Sequence, residues 1–517
     1  MLIVAAFAIA ACAQQAPQGQ LANPAPAKAS LATNLSGPAD WNTEIPFVDM
    51  FHFSRDWISQ QDGKGWGQGP KLETDAKGWV KRLAPGCWAE TFVTSYDTHY
   101  PSGDYTVLYD GKGELDFGAG GPRGKEGGNG RYVVHVDSTK GHFSVRLTKT
   151  DPADPVRNIR VLIPGSEKTY KQNPFNPTFL ARWKGVSALR FMDWMETNGN
   201  KVKSWAERPQ IDDANWCRKG VPADVMVDLA NRLGADAWFC MPIRADDDYV
   251  KNFATLVEKT LDKKLRVYLE LSNEVWNPGF EQSTYAEQQG KAANLGNGFE
   301  NRWRWYAVRS TQVFDAWNQA FPRARTVRVL AAQAGWSEPA KQILAFRDSA
   351  KKADALAIAP YCGYTPSPSD KPSADEVAGW SKDQIFQHMR SKVLPAVVKM
   401  VQEHKALADQ HKLTLIAYEG GQHLVGIQGA ENNDKLTALF TGANRDPRMG
   451  QVYSEYLKLW QQNGGGLFAN FSSVAGSSKW GSWGSMEYAD STRANSPKYA
   501  ALQDWARTLG QSVGTGG

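Results

Sequence analysis

From about Gly165 onward, short apolar runs alternate with longer segments whose apolar residues recur at helical spacing. The runs SALRFMDW (187–194), ADAWFCMP (235–242), KLRVYLELSN (264–273), TVRVLAA (326–332), ADALAIAPY (353–361), KLTLIAYE (412–419) and GGGLFANFS (464–472) read as buried strands. Between them lie amphipathic stretches such as VPADVMVDLANRLG, YVKNFATLVEKTL and DQIFQHMRSKVLPAVVKMVQEHKALADQ. Seven strands here and one closing near Asn34 make eight, which predicts an α/β fold, a (β/α)8 TIM barrel. A doubly wound open sheet is the alternative, but no GxGxxG follows an early strand.

Residues 66–165 have a different texture. Alternating runs such as TVLYD, GELDFG, RYVVHVD and HFSVRLT, separated by Gly, Pro and Asp turns, predict a small all-β domain inserted between the first two barrel strands. It reads as packing against one side of the barrel. The glycine-rich stretch at 118–130 lacks the GK[ST] ending of a phosphate loop and reads as a long hairpin tip. The division expected is 34–65 for the first barrel strand and helix, 66–165 for the inserted domain and 166–510 for the rest of the barrel. Pro46 to Ser59 is expected as an apolar helix or an irregular segment.

The chain has 517 residues and a net charge of +5, too small a bias to point to nucleic acid, and no basic run is interleaved with aromatics. Its 20 Trp, 17 Tyr and 21 Phe favour a carbohydrate partner, because flat aromatic faces stack on the apolar faces of sugars. The first twelve residues form a short apolar run followed by small residues, as in a signal segment. Ile9-Ala10-Ala11-Cys12 resembles a bacterial lipobox, which implies lipidation of Cys12, export, and a membrane contact through that anchor alone; residues 13–33 then read as a flexible tether. Of Cys87, Cys217, Cys240 and Cys362, the last two fall in apolar strands and read as buried thiols. No spacing suggests a metal, no cofactor is expected, and Asp246-Asp247-Asp248 reads as a helix start. Nothing in the pattern calls for an oligomer.

In a barrel the residues that close each strand on its carboxyl side build the active site. That rule gathers Arg190 with Asp193 or Trp194, Asn273-Glu274, Tyr361 and Tyr364, Glu419 before a double glycine, and the loop bearing Trp480 and Trp483. By alternation, an inward Glu419 would put Ala417 and Leu415 inside as well. Glu270 lies deeper in its strand and reads as the partner of a buried base. Arg190 has two readings, support for a strand-seven carboxylate or a pair with Asp193 or Glu196. Trp276 joins Trp480 and Trp483 as candidate sugar platforms, and His423 reads as a loop residue within reach of the cleft.

With Asn273-Glu274 ending strand four and Glu419 ending strand seven, the chain resembles the retaining (β/α)8 glycoside hydrolases of clan A, which include cellulases, mannanases and β-xylosidases. The resemblance covers roughly residues 30–60 and 170–510. It implies Glu274 as acid/base and Glu419 as nucleophile, Arg190 keeping Glu419 ionised, Tyr361 or Tyr364 orienting it, Asn273 on the sugar 2-hydroxyl, and Trp480 or Trp483 as the platform. Retention requires the carboxyls about 5–5.5 Å apart, with the charge of Glu419 raising the pKa of Glu274 and Arg190 lowering that of Glu419. The function expected is an endo-acting β-glycanase on a polysaccharide or oligosaccharide. The alternative is a carbohydrate-binding surface lipoprotein without turnover. An esterase is disfavoured by the lack of a G-x-S-x-G elbow.

Overall fold

The computed structural model describes residues 28–96 and 98–514. The expectations for Cys12, for residues 1–12 and for most of the tether lie outside those residues. Eight parallel strands close into a barrel in chain order: β1 (Ser30–Asn34), β2 (Ala188–Arg190), β3 (Asp236–Met241), β4 (Val267–Leu271), β5 (Thr326–Ala331), β6 (Ala355–Ile358), β7 (Thr414–Ala417) and β8 (Leu467–Asn470). β1 begins before the end of the expected tether, because Ser30 to Thr33 pair with Leu467 to Asn470 of β8. Of Ser30 to Thr33 only Leu31 is strongly apolar, so the sequence marks where β1 closes, near Asn34, and not where it opens.

Helices cover the barrel wall where helical spacing predicts them. Helix Ala223–Leu233 stops at Gly234, whose φ of 65° suits a left-handed C-cap. Asp246 caps helix Asp247–Thr260 by accepting from Tyr249 N at 2.7 Å, so the Asp run is a helix start. The segment 382–410 is one helical rod carrying a π-helical turn at Met389–Val393. Among the described residues, no helix is long and apolar enough to cross a membrane. Cys240 and Cys362 are buried free thiols.

Between β1 and β2 the chain forms two four-stranded antiparallel sheets, one built of Ile58–Gln61, Cys87–Thr94, Phe143–Thr150 and Gly113–Gly118, the other of Arg157–Leu162, Gly103–Asp110, Arg131–Val136 and Pro122–Gly128. Both sheets contribute to one apolar core, separate from the barrel's, with Val93, Tyr105, Leu115, Val134 and Phe143 inside. The first strand of this domain starts at Ile58, ahead of the expected boundary at 66, and only one 3-10 turn, Met50–Phe53, occupies the apolar stretch before it. The segments leading into and out of the domain are tied together by Asp49, whose Oδ1 accepts from Phe51 N at 3.0 Å and from Val161 N at 2.9 Å.

The glycine-rich stretch is not a hairpin tip. Pro122–Gly128 is an edge strand paired with Arg131–Val136, and the turn is confined to Asn129-Gly130. An exposed edge strand buries few side chains, so glycines that would weaken a central strand are tolerated there.

Candidate active site

Strand ends deliver two carboxylates to the barrel mouth by different backbone devices. After β4, Ser272 (φ 60°) and Glu274 (φ 43°) both take left-handed conformations around Asn273. After β7, the alternation expected from the sequence does not hold. Register transfers orientation around the wall: Glu270 pairs with Val329, Val329 with Ala355, and Ala355 with Thr414. Thr414, Ile416 and Tyr418 therefore share the inward side of Glu270, while Ala417 pairs with Phe468, which packs outward on Tyr456, Trp460 and Trp505. Ala417 and Leu415 thus face outward, contrary to expectation. The strand ends at Ala417, and Glu419 enters the mouth from the turn that follows. The double glycine permits this turn: a Cβ on Gly420 would lie 2.5 Å from the Phe468 ring, and Gly421 has φ of 150° with Tyr453 Oη 2.8 Å from where its Cβ would stand.

Arg190, fully buried at the end of β2, joins these pieces. Its Nη1 donates to Glu419 Oε1 at 2.9 Å and to Asn34 Oδ1 at 3.0 Å. Its Nη2 donates to Asn273 Oδ1 at 2.9 Å and to Glu270 Oε2 at 3.0 Å. Of the two sequence readings of Arg190, the ion pairs formed are those with Glu270 and Glu419, while Asp193 and Glu196 form none with it. Glu270 is the interior partner of this base and also accepts from Trp238 Nε1 at 2.9 Å.

The two mouth carboxylates differ in their other partners. Glu419 Oε2 accepts from the Tyr361 hydroxyl at 2.8 Å. Glu274 accepts from the Tyr418 hydroxyl at 3.0 Å and from Asn277 Nδ2 at 2.9 Å. Burial raises the pKa of both carboxyls above the ordinary glutamate value. Arg190 and the Tyr361 hydrogen bond pull Glu419 back down, but burial and the charge of Glu274 outweigh them. The expected lowering of Glu419 is therefore not reached, because burial outweighs the guanidinium. Glu419 still touches a guanidinium while Glu274 is held by neutral donors, so a single negative charge on the pair resides preferentially on Glu419.

The remaining candidates separate. Asn273 is locked, its Nδ2 donating to Asn198 Oδ1 at 3.2 Å and its carbonyl accepting from Gln282 Nε2 at 2.9 Å. Tyr361 lies at the site, whereas Tyr364 stacks on Trp380 at 6.0 Å and lies 4.2 Å from the His388 ring, within a neighbouring aromatic cluster. Trp194 is buried in the core among Phe47, Phe53 and Phe179, with Nε1 on Ser36 O at 3.0 Å, and is no mouth residue. Asp193 is half-buried, and burial pushes its carboxyl up to about 6. Trp276 is half-buried against the barrel core. Trp480 is exposed beside Lys479, whereas Trp483 donates from Nε1 to His423 Nδ1 at 3.0 Å. Tyr418, Asn34 and Asn277 escape the sequence reading. Alternation counted back from Glu419 puts Tyr418 on the outward side and so hides it; Asn277, three residues after Glu274, offers the one sequence signal.

No family model and no curated protein sequence matches the chain. Solved structures with a similar fold include a fungal β-1,4-galactanase at 11% identity, aligned over 65% of this chain and 92% of that one with a TM-score of 0.34. A xyloglucan-specific endo-β-1,4-glucanase of family GH5 from a metagenomic library aligns at 13% identity over 62% and 84%, with a TM-score of 0.36. An endo-β-1,4-mannanase of family GH26 from Cellulomonas fimi aligns at 11% identity over 63% of each chain, with a TM-score of 0.32. Likeness at this level concerns the fold alone.

Proposed function

We propose that the protein is a retaining glycoside hydrolase that cleaves within a β-linked polysaccharide by double displacement. The observation that carries the reading is the asymmetric pair at one barrel mouth: Glu419 bound by Arg190 and Tyr361, and Glu274 held by Tyr418 and Asn277. Glu419 attacks the anomeric carbon as Glu274 gives its proton to the departing glycosidic oxygen, forming a glycosyl ester and a free alcohol. Esterified Glu419 is neutral, the repulsion that kept Glu274 protonated is relieved, and Glu274 takes a proton from the water that hydrolyses the ester. Tyr361 and Arg190 hold one rotamer of the nucleophile, so attack starts from a fixed geometry. Export by a lipidated Cys12 is part of the proposal and rests on the sequence alone; radiolabelled palmitate incorporated by wild type and lost in Cys12→Ala checks it.

The test is digestion of β-glucans, mannans, xylans and galactans by wild type, Glu274→Ala and Glu419→Ala. Oligosaccharide release by wild type is expected to fall by at least about a thousandfold in Glu419→Ala, and azide is expected to restore part of it. Equal behaviour of wild type and variants overturns the assignment. Release of terminal monosaccharide alone overturns the internal cleavage.

A further inference from the structure

Beside the carboxylate pair, the mouth holds a ring whose tautomer is dictated by its neighbour. Trp483 Nε1 stands 3.0 Å from His423 Nδ1. An indole nitrogen is a donor only, so Nδ1 accepts, and the neutral imidazole carries its proton on Nε2. Burial lowers the pKa of His423 below the ordinary histidine value, which favours that neutral form.

Both members of the pair are held from behind. His423 sits in the short strand Gln422–Leu424, paired with Cys362–Tyr364, and the residue opposite it is Gly363, where a Cβ would come 3.0 Å from His423 Cβ. Ser482, just before Trp483, accepts at its carbonyl from Gln422 Nε2 at 2.5 Å and from the buried Lys498 Nζ at 2.6 Å. The ring lies 5.4 Å from that of Tyr361, whose hydroxyl touches Glu419 at 2.8 Å. Among the described residues, the hydrogen bond that the His423 ring makes is the one at Nδ1, and Nε2 makes none. A donor next to Tyr361, itself the partner of Glu419, with its other nitrogen already occupied, is thus left for a ligand.

We propose that His423 donates its Nε2–H to an oxygen of the sugar unit bound at Glu419, making it a specificity-determining residue of the cleft. The class of ligand rests on the glycosidase reading. The tautomer does not.

Two substitutions separate this role from mere support of Trp483. His423→Asn keeps an acceptor near Nδ1 but loses the donor at Nε2; His423→Gln keeps a donor near Nε2 but gives up the acceptor. Wild type and both variants, checked for equal melting temperature, are assayed on β-1,4-linked hexaoses of glucose, mannose, xylose and galactose. Expected is a loss of about tenfold in kcat/KM for His423→Asn on the best hexaose, with His423→Gln within about threefold of wild type. The reverse order, equal losses, or no loss in either overturns the proposal. If wild type hydrolyses none of these hexaoses and none of the polysaccharides above, the glycosidase reading fails, and calorimetric binding of the same hexaoses decides the role of His423. The same ranking of affinities supports it; equal affinities, or no binding, overturn it. Nitrogen NMR of histidine-labelled protein is expected to show the Nε2–H tautomer at His423, and an Nδ1–H tautomer overturns the proposal independently of any substrate.

Discussion

The barrel mouth and the inserted β domain use charge in opposite ways. At the mouth, Arg190 is fully buried and shared among Glu270, Glu419, Asn273 and Asn34. In the inserted domain most ion pairs lie on the sheet surface, as with Arg131 and Glu167, whose side chains are 48% and 38% exposed at a separation of 2.7 Å. A buried charge without its partner is costly, whereas an exposed one is rehydrated. The difference teaches where this molecule holds geometry mainly by buried charge and where its ion pairs mostly decorate an apolar core.

Arg190→Met probes the comparison most severely. It is expected to destabilise the fold by about 3–5 kcal/mol, because Glu270 and Glu419 lose their only guanidinium. Denaturant unfolding measures the loss, and adding Glu270→Leu is expected to recover part of it. No recovery in the double variant would mean that the cost is lost packing rather than orphaned charge.

The next effect is pH-dependent. Burial, together with the charge of Asp193, pushes the Glu196 carboxyl up to about 8 from an ordinary value near 4.5. A carboxyl whose pKa is raised on folding favours the folded state below its unfolded pKa and loses that contribution as pH rises through the folded one. Glu196→Gln is therefore expected to match wild type near pH 4 and to melt higher than wild type between pH 6 and 9. Each tenfold change in a carboxyl's proton affinity on folding is worth about 1.4 kcal/mol, which caps the gain and makes it visible in melting curves at pH 4 and pH 8.5. An equal difference at both values would locate the effect in shape rather than charge.

The smallest effect sharpens the other side of the comparison. Arg131→Ala, at the inserted domain's surface, is expected to leave the unfolding midpoint almost unchanged, with any loss shrinking further in high salt. A larger, salt-independent loss in the unfolding curve would place that pair among the fold's structural charges.

Much of the architecture is legible in the chain because it rests on local periodicity. The alternation of apolar runs and amphipathic stretches marks seven barrel strands, and Asn273-Glu274 and Glu419-Gly420-Gly421 stand out because polar residues rarely end such runs without a reason. β1 closes at Asn34 as expected, but its start at Ser30 is set by pairing with β8, which no local pattern marks.

What only the tertiary structure decided concerns partners. Whether Arg190 meets Glu419 and Glu270 or Asp193 and Glu196 depends on register around a closed wall, which no local pattern encodes. The same holds for Tyr361 over Tyr364, for Tyr418 facing inward with Glu419 turned in behind it, and for the hydrogen bond that sets the tautomer of His423. Periodicity travels along one strand and can be counted. Contact across the mouth joins residues more than two hundred positions apart, as Arg190 and Glu419 are, and exists only once the barrel closes.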